Sequence, residues 1–72
     1  MANLNQFDFN IEVRPVTIGA GLAGWYQIVR CEGDQRIPVT DWLRVPGQPA
    51  GIVHHAVRSA QQTANAHLVR LS

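Results

Sequence analysis

The chain has 72 residues, 46% of them hydrophobic and 15% charged, and a formal net charge of +1. A single domain of this size buries only about 60% of its unfolded surface, so its core is small and dimerisation is a natural way to gain buried area. A lone cysteine, Cys31, excludes an internal disulfide, and no run of residues approaches the roughly 20 apolar positions of a membrane span.

The opening Met1-Ala2-Asn3-Leu4-Asn5-Gln6 has neither a basic region nor an apolar run. It is read as a flexible N-terminus, residues 1–6 of a single domain spanning 1–72, with no signal peptide and a cytoplasmic location. Charge is unevenly placed. All five acids (Asp8, Glu12, Glu32, Asp34, Asp41) fall within the first 41 residues, while residues 42–72 carry Arg44, Arg58, Arg70 and three histidines. There is no lysine.

Phe7 to Arg14 alternates without an error, with Phe7, Phe9, Ile11 and Val13 on one side, which predicts a half-buried strand. Pro15 interrupts it, and Val16 and Ile18 fall in the opposite phase, so a bulge or an edge position is expected there. After a glycine-rich connection, Trp25 to Cys31 is rich in aromatic and β-branched residues and predicts a second strand. Gly33-Asp34 marks a tight turn. A third strand is expected from Arg36 to about Val45, with Pro38 suiting an edge. Gln48 is a candidate helix cap. From Pro49 to Leu71 the series Val53, Ala56, Val57, Ala60, Ala64, Leu68 and Leu71 recurs at steps of three and four, the period of an amphipathic helix.

The predicted fold is therefore α+β: a three-stranded antiparallel meander (β-β-β-α) with one C-terminal helix on one face. The inner layer is read as Phe7, Phe9, Ile11, Val13, Trp25, Val29, Cys31, Ile37, Val39 and Leu43. One helix covers one face of a sheet. The other face is expected to show Tyr26, Ile28, Arg30, Arg36, Trp42 and Arg44, beside Asp8, Asn10, Glu12 and Arg14.

Gly19, Gly21 and Gly24 fit G-x-G-x-x-G after the apolar Val16-Thr17-Ile18, and Asp41 follows Gly19 by 22 residues (41 − 19). The stretch resembles the dinucleotide-binding fingerprint of flavin- and NAD-dependent enzymes, and the resemblance implies a pyrophosphate held at Gly19–Gly24 and a ribose held by Asp41. That chemistry needs a helix opening at the third glycine. Trp25, Tyr26, Ile28 and Val29 form a poor helix, and the segment is read as a hairpin connection. No cofactor is assigned.

Adjacent helical residues point about 100° apart, so His54 and His55 cannot close on one ion. No histidine or carboxylate follows either at i+4, and His67 lies twelve residues beyond His55 (67 − 55). No metal site is predicted. His54 and His67 are expected to pack at the edge of the apolar stripe. Ser59 has no carboxylate on its helix and Cys31 is read as facing the core, so no catalytic group emerges and the protein is not expected to be an enzyme.

Two contact surfaces remain. Tyr, Trp and Arg dominate binding hot spots, so the sheet face with Tyr26, Ile28, Arg30, Arg36, Trp42 and Arg44 points to a protein contact, self-association as a homodimer included. The chain is read as a small non-enzymatic interaction module, with a regulatory or inhibitor protein as the expected kind. The alternative is nucleic-acid binding by the same Arg/aromatic face, with bases stacked on the rings. The outer side of the helix, with His55, Arg58, Gln62, Asn65 and Arg70, is a second, mildly basic face of low charge density.

Overall fold

The computed structural model describes residues 6–16, 19, 21–47 and 49–71. Among the described residues four strands and one helix follow in order: β1 (Phe7–Pro15), β2 (Leu22–Glu32), β3 (Gln35–Pro38), β4 (Leu43–Arg44) and α1 (Val53–Leu71). The architecture is α+β, an antiparallel sheet with one C-terminal helix. The expected flexibility of the N-terminus falls largely on residues 1–5, and the phase of Ile18 and the cap at Gln48 also lie outside the described residues.

β2 is the centre of the sheet. β1 pairs along one side of it, from Phe7 opposite Arg30 to Pro15 opposite Leu22. β3 and β4 share the other side. The turn between β2 and β3 is the two-residue Gly33-Asp34, closed by the pair Glu32 and Gln35. Gly33 sits there at φ +59°, a conformation that costs a residue without Cβ little.

The expected third strand from Arg36 to Val45 is broken in two. Val29 lies opposite Pro38, but Tyr26 lies opposite Leu43, so two extra residues enter this edge between β3 and β4. Thr40 holds the break together. The Val39 and Thr40 amides both donate to the Ile28 carbonyl (2.8 and 3.3 Å). The Ile28 amide donates to Thr40 Oγ1 (3.1 Å), and that hydroxyl donates to the Asp41 carbonyl (2.8 Å). A side-chain oxygen thus replaces a missing ladder acceptor.

The helix begins at Val53, not at Pro49. Ala50 instead exchanges two backbone hydrogen bonds with Leu22 (2.8 and 2.9 Å), so the chain extends the sheet before it coils. Only the middle of the predicted stripe is buried, at Ala56, Ala60 and Ala64. Its ends, Val53 and Leu71, are exposed.

Antiparallel partners share a face, and the helix lies on the face of Phe9, Ile11, Gly24, Tyr26, Ile28, Leu43 and Val45. The phase read for β1 is borne out. The phase read for β2 is inverted: Tyr26 (6% exposed) and Ile28 (0%) lie beneath the helix, while Trp25, Val29 and Cys31 face the other way. Residues 24–31 are apolar on both faces, so alternation alone cannot orient them. Packing distance does. A Cβ on Gly24 would stand 2.8 Å from the Ala56 carbonyl oxygen and 3.1 Å from the Ala60 Cβ. The alanine face of α1 approaches so closely that only glycine fits beneath it. Tyr26 tolerates burial because its hydroxyl reaches His67 Nδ1 at 3.1 Å. Val39, assigned to the inner layer, is 47% exposed beside the break in the edge.

Candidate functional site

The face without a helix is held together by two arginines. Arg36, on β3, reaches over β2 to β1. Its Nη1 donates to Asp8 Oδ2 (3.0 Å) and its Nη2 to Asn10 Oδ1 (2.8 Å) and, more weakly, to the Phe9 carbonyl (3.4 Å). Val29 lies opposite Asp8 in the ladder, below this crossing, and is only 1% exposed although no helix covers it. The aliphatic stem of an arginine can cover apolar surface in this way.

The same contacts blunt the outer edge of β1. The Cys31 amide donates to the Gln6 carbonyl, so the even residues of β1 bond to β2 and the odd residues direct their amides outward. The outward amide of Phe9 donates to Asp8 Oδ1 (2.8 Å) and its carbonyl accepts from Arg36. Pro15, at the other end, has no amide hydrogen. An edge occupied at both ends is a poor template for another strand. The Asp8 carboxyl is held below its ordinary 3.8, first by the Phe9 amide and then by hydrogen bonding to Arg36.

At the other end of the face, the Arg14 guanidinium lies 4.6 Å from the centroid of Trp25 and 5.7 Å from that of Trp42. Its Nε donates to Glu12. Each such exposed cation–π contact stabilises by about 0.5–1 kcal/mol, and the surface ion pair adds about 0–1 kcal/mol. Beside this cluster is a cleft of about 510 Å³ lined by Arg14, Pro15, Val16, Ala23, Trp25, Arg44 and Pro49.

Of the six residues expected on this face, Arg36 and Arg44 lie on it, and Trp42 joins it through Arg14. Tyr26 and Ile28 do not; they belong to the core. Arg30 is also displaced: it sits on the helix side, opposite Phe7 and Ile37, exposed and paired with Glu32 at 2.9 Å. Trp25 is the aromatic residue the strand phase concealed, and Arg14 is the cation that organises it. Gly24 was the available signal, because a glycine in phase with Tyr26 and Ile28 marks the face that a helix approaches.

The outer helix residues His55, Arg58, Gln62, Asn65 and Arg70 are all exposed, as is Ser59. His54 is exposed too, rather than packed at the stripe, with its ring centroid 6.1 Å from that of His55. Cys31 lies half-buried on the uncovered face opposite Arg36, not in the core. Among the described residues no three potential metal ligands come together, and no helix is long and apolar enough to cross a membrane. The strand β2 runs through Gly24, so the helix that a dinucleotide fingerprint requires there is replaced by a ladder. The chain matches no family model, no curated protein and no solved structure in the comparisons made with each.

Proposed function

We propose that the protein is a small, non-enzymatic interaction module that binds protein through the uncovered sheet face, a second copy of itself being the first partner to test. The observation that carries this reading is the Arg14–Trp25–Trp42 cluster on a face that no helix covers. Two indoles and an arginine are the residue types that supply most of the energy of a protein contact when desolvated. Arg36 and Arg44 belong to the same surface; Tyr26, Ile28 and Arg30 leave it. The blunted β1 edge favours face-to-face contact over strand addition. A regulatory or inhibitory role is consistent with this size, with partner binding as the whole of its activity.

The test is sedimentation velocity from micromolar to millimolar concentration. The mass should rise from 8.0 kDa toward twice that value, and Trp42→Ser should remain monomeric with an unchanged fold by circular dichroism. A wild-type protein that stays at 8.0 kDa throughout refutes self-association. The alternative is nucleic-acid binding by the arginines and indoles of this face, and a salt series with single-stranded RNA tests it.

A further inference from the structure

The four arginines of the sheet are not equivalent. Arg30 is paired with Glu32 and Arg36 with Asp8. Arg14 gives only its Nε to Glu12, and no other contact of its guanidinium with an acid is found among the described residues. Arg44 has no acidic partner among the described residues. These last two arginines line the same cleft, and among the described residues no acid lines it with them.

The rest of the cleft is apolar and stiff. Pro15 and Pro49 have fixed φ, Trp25 is held by Arg14, and the buried Ala23 is too small to fill the hollow. Arg14 stands opposite Ala23 and Arg44 opposite Trp25, on strands that flank β2 on either side. Neighbouring strands are about 4.8 Å apart, so the two backbones are about 10 Å apart and their long side chains can converge on one anion.

We propose that this cleft binds a carboxylate-bearing peptide segment of a protein partner, with the acid between Arg14 and Arg44 and an adjacent apolar side chain against Trp25 and the prolines. The inference rests on reading the uncovered face as a protein-contact surface. Charge and stacking favour peptide over nucleic acid. Arg14, Arg44 and Glu12 together carry +1 (1 + 1 − 1), enough for one carboxylate and too little for a track of phosphates. The face of the Trp25 ring already carries Arg14, which a stacked base would have to displace, whereas an apolar side chain can pack on the rest of the indole and the prolines.

The probe is a blocked Leu-Glu-Leu-Glu peptide, titrated into the intact protein and followed by the indole and arginine N–H signals in NMR spectra. Saturable shifts at Trp25 and Arg44 are expected. The isosteric Leu-Gln-Leu-Gln peptide and the Arg44→Gln variant should each bind about 10-fold more weakly, the scale of one charge-assisted hydrogen bond. Arg58→Gln, on the far side of the helix, should bind like wild type. Equal affinity for the two peptides, shifts that map elsewhere, or no saturable shift at millimolar peptide would overturn the proposal. So would displacement of the peptide by single-stranded oligothymidylate at low salt.

The two readings fail separately. A monomer that still binds the acidic peptide at Trp25 and Arg44 keeps the cleft and loses the second copy as partner. A dimer whose association is unchanged by Arg44→Gln, and which ignores the peptide, keeps the face and loses the cleft.

Discussion

Gly24→Ala tests the orientation of β2 and so the whole assignment of faces. Two effects oppose each other. Alanine restricts the unfolded chain and by itself would stabilise by about 0.4–1 kcal/mol. Its Cβ, however, would meet the Ala56 carbonyl oxygen at 2.8 Å and the Ala60 Cβ at 3.1 Å. Carbon contacts are comfortable at about 3.5–4.0 Å, so the helix must retreat by several tenths of an ångström. The first obstacle is backbone, which cannot rotate away. Overpacking costs about 1–3 kcal/mol, and a backbone obstacle this close belongs in the upper half of that range, so the net effect is a loss of about 1–2 kcal/mol. For a domain this small each kcal/mol moves Tm by about 4–8 °C, and thermal unfolding by circular dichroism reads the shift directly. Ala60→Gly relieves the second contact but not the first, and glycine inside a helix itself costs about 1 kcal/mol, so the double variant should be no more stable than Gly24→Ala alone. Were β2 in the opposite phase, Gly24 would face away from the helix and the substitution would be neutral or stabilising. A Gly24→Ala protein as stable as wild type refutes the packing described above.

Two further substitutions probe the sheet. Thr40→Val removes the acceptor of the Ile28 amide at the break between β3 and β4; leaving that donor without a partner should cost about 1–3 kcal/mol, measured by urea unfolding, whereas Thr40→Ser should stay close to wild type. Asp8→Asn tests the strap to Arg36. The folded-state pKa of Asp8 is lowered from 3.8, so its ionised form stabilises the protein above that value and the contribution is lost as pH falls through the folded pKa. Wild type should therefore be more stable than Asp8→Asn near neutrality and converge with it in acid. Parallel stability curves at all pH values would show that the carboxylate contributes nothing.

The management of the β1 edge narrows the ways this chain can meet another. The outward Phe9 amide and carbonyl are occupied by Asp8 and Arg36, and the strand ends at Pro15. Ile11 and Val13 remain between these stops, too short a stretch for a continuous ladder. The face, with its indoles, remains the larger opportunity.

Local pattern in the chain was enough for the α+β class, the alternation of β1, the Gly33-Asp34 turn and a C-terminal amphipathic helix, because each depends on neighbours within a few residues. It also placed Arg36, Trp42 and Arg44 on the open side. Tertiary structure decided the orientation of β2, where Trp25 and Tyr26 are adjacent large aromatics, so either could have turned inward. The outcome rests on a contact between residues far apart in sequence: the alanine face of α1 can settle only where Gly24 clears its path and where the Tyr26 hydroxyl finds His67. Trp25 is thereby left outside, beneath Arg14, and with it the surface proposed for partner contact.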